Sequence, residues 1–463
     1  MKSRSAAIFA LLLACSVALW AQSAATSQVS GTVLDPSGAT VPDAQVKLTQ
    51  TDTGLVRTAN SGSDGRYVVP SLPIGPYKME VTKPGFATFV QTGIVLQVNT
   101  NPAIDAILKV GAVSEQVVVE AATTMVEVHN TSVGQVIDSQ RVVELPLNGR
   151  NPTELIYLIG ASAQAPPADL ISAKNYPGEA AISIAGGMAN GATYSLDGGT
   201  HNDPFNNLGL PLPFPDALQE FKVETSSLAA QYGQHSAGAV NAITKSGTNQ
   251  IHGDAFEFVR NYKFNARNFF ALQRDSLKRN QFGGTLGGPI KKDKLFFFVG
   301  YQGNVIRSNP TQSSSFVPTP AMVAGDFSAV TTAPCQTTPI QLYDPFSSAS
   351  TATRLPYAGN RIPTTQFSQP ALNMLKFYPT PDNSCGKEFY SPKSGQDEHM
   401  GIAKGDYQVS SRQSLFLRYL VSHSLQPTPY DGKNPLSMNL SGADDLVNSA
   451  VFGHTFLISP STI

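Results

Sequence analysis

The chain predicts a mainly β protein in three parts: an N-terminal β-sandwich, a mixed α+β middle, and the first strands of an antiparallel transmembrane β-barrel that is incomplete. Composition supplies the first observation. Only 14% of its 463 residues are charged, against roughly 25% in an average soluble protein, while 38 glycines and 33 prolines furnish turns. Hydrophobic residues at 41% leave ample material for a core, which argues against disorder. The third observation is rhythm: short alternating runs with frequent turn signals give way, after Lys245, to longer alternating runs of roughly eight to ten residues.

Charge excludes one class of function at once. Lys and Arg number 32 against 33 Asp and Glu, and no basic run exists that would displace counterions from a nucleic acid. Residues 1–25 read as an export signal, with Lys2 and Arg4, the apolar run Ala6–Leu19, and small residues at Ala21, Ala24 and Ala25. Leu12-Leu13-Ala14-Cys15 is a second-ranked lipoprotein-type cleavage box. No later run reaches the ~18 apolar residues of a transmembrane helix, so membrane residence must be by strands. Beyond the signal stand Cys335 and Cys385, candidates for a disulfide that would stabilise by about 4 kcal/mol in an oxidising compartment.

From residue 26 to 112, strands are expected at Val29–Leu34, Ala44–Thr49, Val56–Asn60, Tyr67–Pro70, Tyr77–Thr82 and Ile104–Val110. Asp35-Pro36-Ser37-Gly38, Asp52-Thr53-Gly54, Ser63-Asp64-Gly65 and Lys83-Pro84-Gly85 punctuate them, proline pre-setting φ and glycine accepting positive φ. This is the pattern of a small sandwich. Its Val29–Val33, Asp64-Gly65-Arg66-Tyr67, Leu72–Tyr77 and Pro84-Gly85-Phe86 resemble the carboxypeptidase regulatory-like, or transthyretin-like, domain, a module that is non-catalytic in most settings. Tyr67, Tyr77 and Phe86 are expected in its core.

Residues 113–125 form a linker containing Glu115, Gln116, Val117, Val118, Val119 and Glu120. Two readings stand side by side: a last edge strand, which β-branched residues favour, or a segment captured as an added strand by a partner. In the middle, Phe221, Val223 and Thr225 alternate with polar residues, Tyr232-Gly233 makes a turn, and Val240, Ala242 and Thr244 alternate again. Glu220–Glu224, Tyr232-Gly233, Ser236–Ala239 (with Gly238) and Val240–Lys245 resemble, in order and spacing, the end of the plug domain of TonB-dependent outer-membrane receptors. Leu145–Asn151, containing Asn148, Gly149, Arg150 and Asn151, is similar to the Oar-like branch, with a short helix at Pro152–Leu158. Tyr194–Gly199, with Asp197 and Gly198, stands where that family has its Leu-Asp-Gly hairpin. Ala185-Gly186 departs from the usual Arg-Gly, so no pore-facing arginine is carried to that position. The resemblance makes residues 126–245 the plug and Glu115–Glu120 a candidate TonB box.

Residues 246–463 supply about six candidate membrane strands: His252–Arg260, Gln281–Gly287, Leu295–Tyr301, Lys404–Ser411, Ser414–Val421 and Asn448–Leu457. Short connections alternate with long ones, which puts the short turns in the periplasm and both cysteines in a long external loop. A barrel of this class needs about 22 strands, so the chain is expected to be a fragment of a longer receptor, an open sheet with unpaired edges.

Catalytic look-alikes fail. Gly233–Gly238 lacks the glycine two before Ser236 and the helix after it that a nucleophile elbow needs. Thr244-Lys245-Ser246 lacks the glycine of a P-loop. The seven histidines, His129, His201, His235, His252, His399, His423 and His454, show no ligand spacing and are expected to be solvated or pore-lining; Asp197, His201 and Asp203 are a weak cation cluster. No enzyme, cofactor or metal is expected. The resemblance implies an outer-membrane receptor in contact with lipid, with periplasmic N-terminal domains, that binds an unidentified external ligand and moves it by TonB-driven plug movement. The competing expectation is a surface protein that binds polysaccharide without transport.

Overall fold

The computed structural model describes residues 26–458 except 112–115, 121–131, 166–175, 177, 229–231, 233–236, 268, 270–273, 309–312, 391–393, 431, 433 and 439–441. The expected signal segment, Glu115, Gly233, Gln234, His235 and Ser236 therefore lie outside the described residues. Eight strands come first: β1 (Thr26–Leu34), β2 (Gln45–Gln50), β3 (Val56–Asn60), β4 (Arg66–Pro73), β5 (Gly75–Thr82), β6 (Thr88–Leu96), β7 (Ala106–Ile107) and β8 (Gln116–Glu120). They form two sheets, in the orders β4-β1-β7 and β3-β2-β5-β6-β8. Alternating apolar residues, among them Val46, Leu48, Met79 and Val81, meet Val29, Val33, Val69 and Leu72 in one core. Tyr67 is buried there as expected, its hydroxyl donating to the Ile104 carbonyl at 2.6 Å. A Cβ at Gly31 would lie 1.9 Å from that same carbonyl oxygen, which fixes glycine at this crossing.

Two differences from expectation appear in the sandwich, and one of the two readings of residues 116–120 is seen. β6 was not anticipated; Gly93, at φ 76°, accompanies a register irregularity against β5 that breaks the period-two pattern. The run Ile104–Val110 is a strand only at Ala106–Ile107, pairing parallel with β1. Gln116–Glu120 is an edge strand, parallel to β6.

The central unit follows: β9 (Val133–Asp138), α1 (Ser139–Glu144), β10 (Ser162–Gln164), β11 (Ile182–Ile184), β12 (Thr193–Leu196), β13 (Gly199–Thr200), β14 (Leu218–Ser226) and β15 (Ala239–Thr244). Asp138 caps α1 by accepting from the Arg141 amide at 2.9 Å. Its main sheet runs β13-β12-β15-β14-β9, with β14 and β15 antiparallel and β12 parallel to β15. Pro152–Leu158 is helical, of the 3₁₀ type.

The remainder contains β16 (His252–Asn261), β17 (Lys278–Lys291), β18 (Leu295–Ser308), a small hairpin of β19 (Ser313–Phe316) and β20 (Lys387–Tyr390), then β21 (Ser394–Ser410), β22 (Gln413–Gln426) and β23 (Ala443–Phe456). The six long strands make one antiparallel sheet, β16-β17-β18-β21-β22-β23, open at β16 and β23 among the described residues. Its polarity is inverted relative to a soluble sheet. Val299, Tyr301, Leu417, Tyr419 and Phe452 are exposed on one face, whereas Gln281, Thr285, Asn304, Lys404 and Arg418 are buried on the other by the central unit. Phe298, Ile402 and Leu420 of the sheet share a single apolar core with Leu196, Phe214 and Phe221 of that unit. A disulfide joins Cys335 to Cys385 within the long β18–β21 connection. No helix among the described residues is long and apolar enough to cross a membrane.

Candidate functional site

The turn at Asp197-Gly198 leaves β12 with φ of 52° and 81°, so the carboxylate points out of the central sheet rather than along it. It lands between two cations of the long sheet. Lys404 Nζ donates to Asp197 Oδ1 at 3.1 Å and Arg418 Nε to Oδ2 at 3.2 Å. Thr244 completes the carboxylate's shell, its amide and hydroxyl both within 3.1 Å. Arg418, fully buried, spends its remaining donors on the Leu196 carbonyl and on Ser449. Burial alone would raise the Asp197 carboxyl, but Lys404 and Arg418 outweigh it and hold it below the usual carboxylate range. These contacts commit Asp197 to an ion cluster rather than to a cation site, and no metal-binding group of three or more ligand residues occurs among the described residues.

His201 corrects an expectation. It is neither solvated nor pore-lining but buried under the same junction, with Nε2 at 3.0 Å from the Pro211 carbonyl and Nδ1 at 3.4 Å from Ser449 Oγ. Burial pushes its pKa down to about 4, so the ring is neutral.

The Asn148–Asn151 stretch forms a second junction. Gly149 and Arg150 both have positive φ, and a Cβ at Gly149 would lie 2.4 Å from Arg279 Nη2. The Gly149 carbonyl accepts from Gln281 Nε2 at 2.9 Å. Arg150 pairs with Asp216 and stacks on two rings of β16, 4.1 Å from the Phe256 centroid and 4.4 Å from Phe258. Asn151 Oδ1 caps the following helix through the Thr153 amide at 3.1 Å. Above this junction, toward the strand ends that lead into the long connections, lies a cavity of about 320 Å³ lined by Arg150, Asn151, Arg279, Gln302, Asn304 and Glu398 among others.

The sandwich meets both other parts. Lys222 Nζ donates to the Asn99 carbonyl at 3.0 Å and pairs with Glu224 at 3.1 Å, while Asn99 Nδ2 donates to Glu224 at 2.7 Å. The Val98 amide donates to Glu220. Burial raises the Glu220 carboxyl to about 7, against the opposing pull of that amide. On the sheet's short-turn side, the Asn249 amide donates to the Asp52 carbonyl and Arg57 Nη1 to the Ser411 carbonyl.

The other sequence candidates are placed as follows. Tyr232 accepts from Asn241 Nδ2 at 2.5 Å in the central sheet. Gly238 is there because a Cβ would lie 2.4 Å from Ile184 Cγ2. The Lys245 amide donates to the Ala217 carbonyl at 2.9 Å. Ala185 turns the chain at φ 53°. Lys404 and Arg418 were missed as site residues; their one sequence signal is a lone cation in each of two otherwise alternating strands.

Residues 243–463 match the outer membrane beta barrel domain family, and residues 28–109 the carboxypeptidase regulatory-like domain family. The chain is 28% identical over 305 residues to the TonB-dependent transporter Oar of Myxococcus xanthus, covering 63% of this chain and 28% of that protein. It thus spans little more than a quarter of its curated relative. Among solved structures it is similar to the siderophore receptor PirA of Acinetobacter baumannii (TM-score 0.39, 13% identity, 70% of this chain and 37% of that one). It is likewise similar to the outer membrane transporter YddB of Escherichia coli (TM-score 0.38, 11% identity, 63% and 33%). By its curated sequence relative and its two matched domains, the chain is a homologue of the TonB-dependent transporter Oar, of the Gram-negative outer membrane.

Proposed function

We propose that the chain works as a receptor in which the central unit is a plug, displaced by TonB so that a ligand bound at the outer face crosses the outer membrane. The observation that carries this is the seat of the central unit: it covers the polar face of a sheet of membrane-length strands and is joined to it by the ion cluster of Asp197, Lys404 and Arg418. The same contact also buries Phe298, Ile402 and Leu420 against Leu196, Phe214 and Phe221, so it is part apolar and part polar. The polar part of the contact can be parted and remade, because water satisfies the same groups once it enters. The cavity beside Arg150 and Arg279 opens toward the long connections, the side a ligand would reach first. Gln116–Glu120 is the segment TonB would grip, adding it as a strand. No acid, base or nucleophile array is needed, since force is the input. Transport, rather than polysaccharide adhesion, is what the name of the curated relative favours.

The test is medium depletion. Cells producing the chain, with and without TonB, are grown in complex medium, beside cells producing Val118→Pro. At least one compound is expected to vanish only with the native chain and TonB together. If depletion is the same in all three cultures, the transport function falls.

A further inference from the structure

We propose that Lys404 is a cation with two seats: Asp197 while the central unit covers the sheet, and Asp406 of its own strand once the central unit has left. Asp406 is thereby a positioning residue, a counter-charge held ready in the wall. This rests on the displacement of the central unit proposed above.

β21 and β22 bring two cations face to face. Lys404 is directly opposite Arg418 in the register, on the face that the central unit covers. Like charges opposed across a strand pair repel, and here Asp197 lies between them. When Asp197 leaves, both cations lose their shared carboxylate at once. Arg418 keeps Ser449 on β23, within its own sheet. Lys404 is worse placed, because its acceptors, Asp197 Oδ1 and the Thr244 carbonyl, both belong to the central unit.

Asp406 meets that need. It stands two residues along β21, on the same face, and diagonally opposite Arg418. Ser246 bonds its carboxylate, yet Oδ2 is buried with no hydrogen-bond partner among the described residues. A buried acceptor left unmade is costly and marks a place where a donor is missing. Asp197, Lys404 and Asp406 line one cavity of about 190 Å³, together with Thr244, Ser246 and Phe416, so the lysine side chain has room to swing from one carboxylate to the other. Lysine's flexible four-carbon stem suits the move, whereas Arg418 is fixed by its fork of bonds. Glu398, the other carboxylate in this row of β21, is already taken by Asn304 and Gln396. The exchange of partners lowers the cost of unseating, because the departing carboxylate leaves no bare lysine behind it.

The test is hydrogen exchange of the β12 and β15 amides in the full chain in detergent, for the native protein, Asp406→Asn, Lys404→Met and the double variant. Removing Asp406 takes away the second seat and is expected to slow exchange about tenfold, the opposite of what losing a structural contact does. In Lys404→Met there is no cation to reseat, so adding Asp406→Asn is expected to change exchange less than about twofold. Asp406→Ala is run beside Asp406→Asn, so that a folding defect in one leaves the other to decide. Exchange that is unchanged or quicker without Asp406 overturns the proposal. Slowing that persists in the Lys404→Met background overturns it too, since the effect would then be relief of repulsion between Asp406 and Asp197. Neither TonB nor ligand takes part, so a negative result here leaves the transport function standing, and a negative depletion test leaves this result readable.

Discussion

Where the central unit meets the long sheet, one carboxylate lies between two cations; where it meets the sandwich, two carboxylates share one. Asp197 is paired with Lys404 and Arg418, whose other donors reach the Thr244 and Leu196 carbonyls and Ser449. At the sandwich, Lys222 pairs with Glu224, Glu220 keeps only the Val98 amide, and Glu224 Oε2 has no partner among the described residues. At the first contact the carboxylate is held from both sides, so opening it takes applied force. The second carries an excess of buried negative charge and opens more easily as that charge develops. Buried charge is costly when unpaired, so the same residue types make a tight seam in one place and a loose seam in the other.

The largest effect should come from removing the shared carboxylate. Asp197→Ala leaves two buried cations facing each other, a loss expected to cost about 3–5 kcal/mol. Hydrogen exchange of the β12 and β15 amides in the full chain measures it as a fall in opening free energy. A fall below about 1 kcal/mol would show that the cluster holds nothing.

Acid and base should act on the two seams in opposite senses. His201 has its folded pKa lowered to about 4 from 6.5, so between those values the unfolded chain takes up a proton that the folded one refuses. Stability at the long-sheet seam is full above pH 6.5 and is lost, by about 3 kcal/mol, as pH falls toward 4. Glu220 runs the other way. Its folded pKa is raised from 4.5 to about 7, so stability at the sandwich seam is full below pH 4.5 and declines as pH rises through 7. Exchange corrected for its intrinsic pH dependence should therefore protect β14 and residues 97–100 better at pH 5 than at pH 8. Glu220→Gln, which stays neutral, should flatten that profile; an unchanged profile would assign the dependence to another group.

Much of this arrangement could be read before any coordinates. Val56–Asn60 and the six long strands were legible because alternation survives wherever one face is apolar. Their ends were not: Lys404–Ser411 was expected where β21 begins at Ser394, because Gln396 and Glu398 face the central unit while Gly395 and Gly401 interrupt the outer face. The Asp197 turn was visible as a motif. Its partners were not, since Lys404 and Arg418 lie 207 and 221 residues away and nothing local marks a cation that will be buried. His201 was misplaced for the same reason, as burial is a property of the assembled seam. The doubled carboxylates of β14 were read as a family pattern, and only the fold brings Val98 and Asn99 against them.

The second junction with the long sheet offers the smallest and most specific test. Arg150 is held in two ways, by Asp216 and by the faces of Phe256 and Phe258, which themselves stand 5.9 Å apart. A lysine keeps the charge but gives up the flat guanidinium that lies against a ring while its edge reaches a carboxylate. Arg150→Lys should therefore cost about 1–2 kcal/mol, the worth of a desolvated cation–π contact, and should do so without disturbing Asp197 and its cations on the far strands. Exchange of the residue 149–156 amides should quicken about tenfold or somewhat more, while that of β12 stays as it was. If β12 quickens equally, the two junctions open as one, and the central unit is seated by a single cooperative contact rather than by two separable ones.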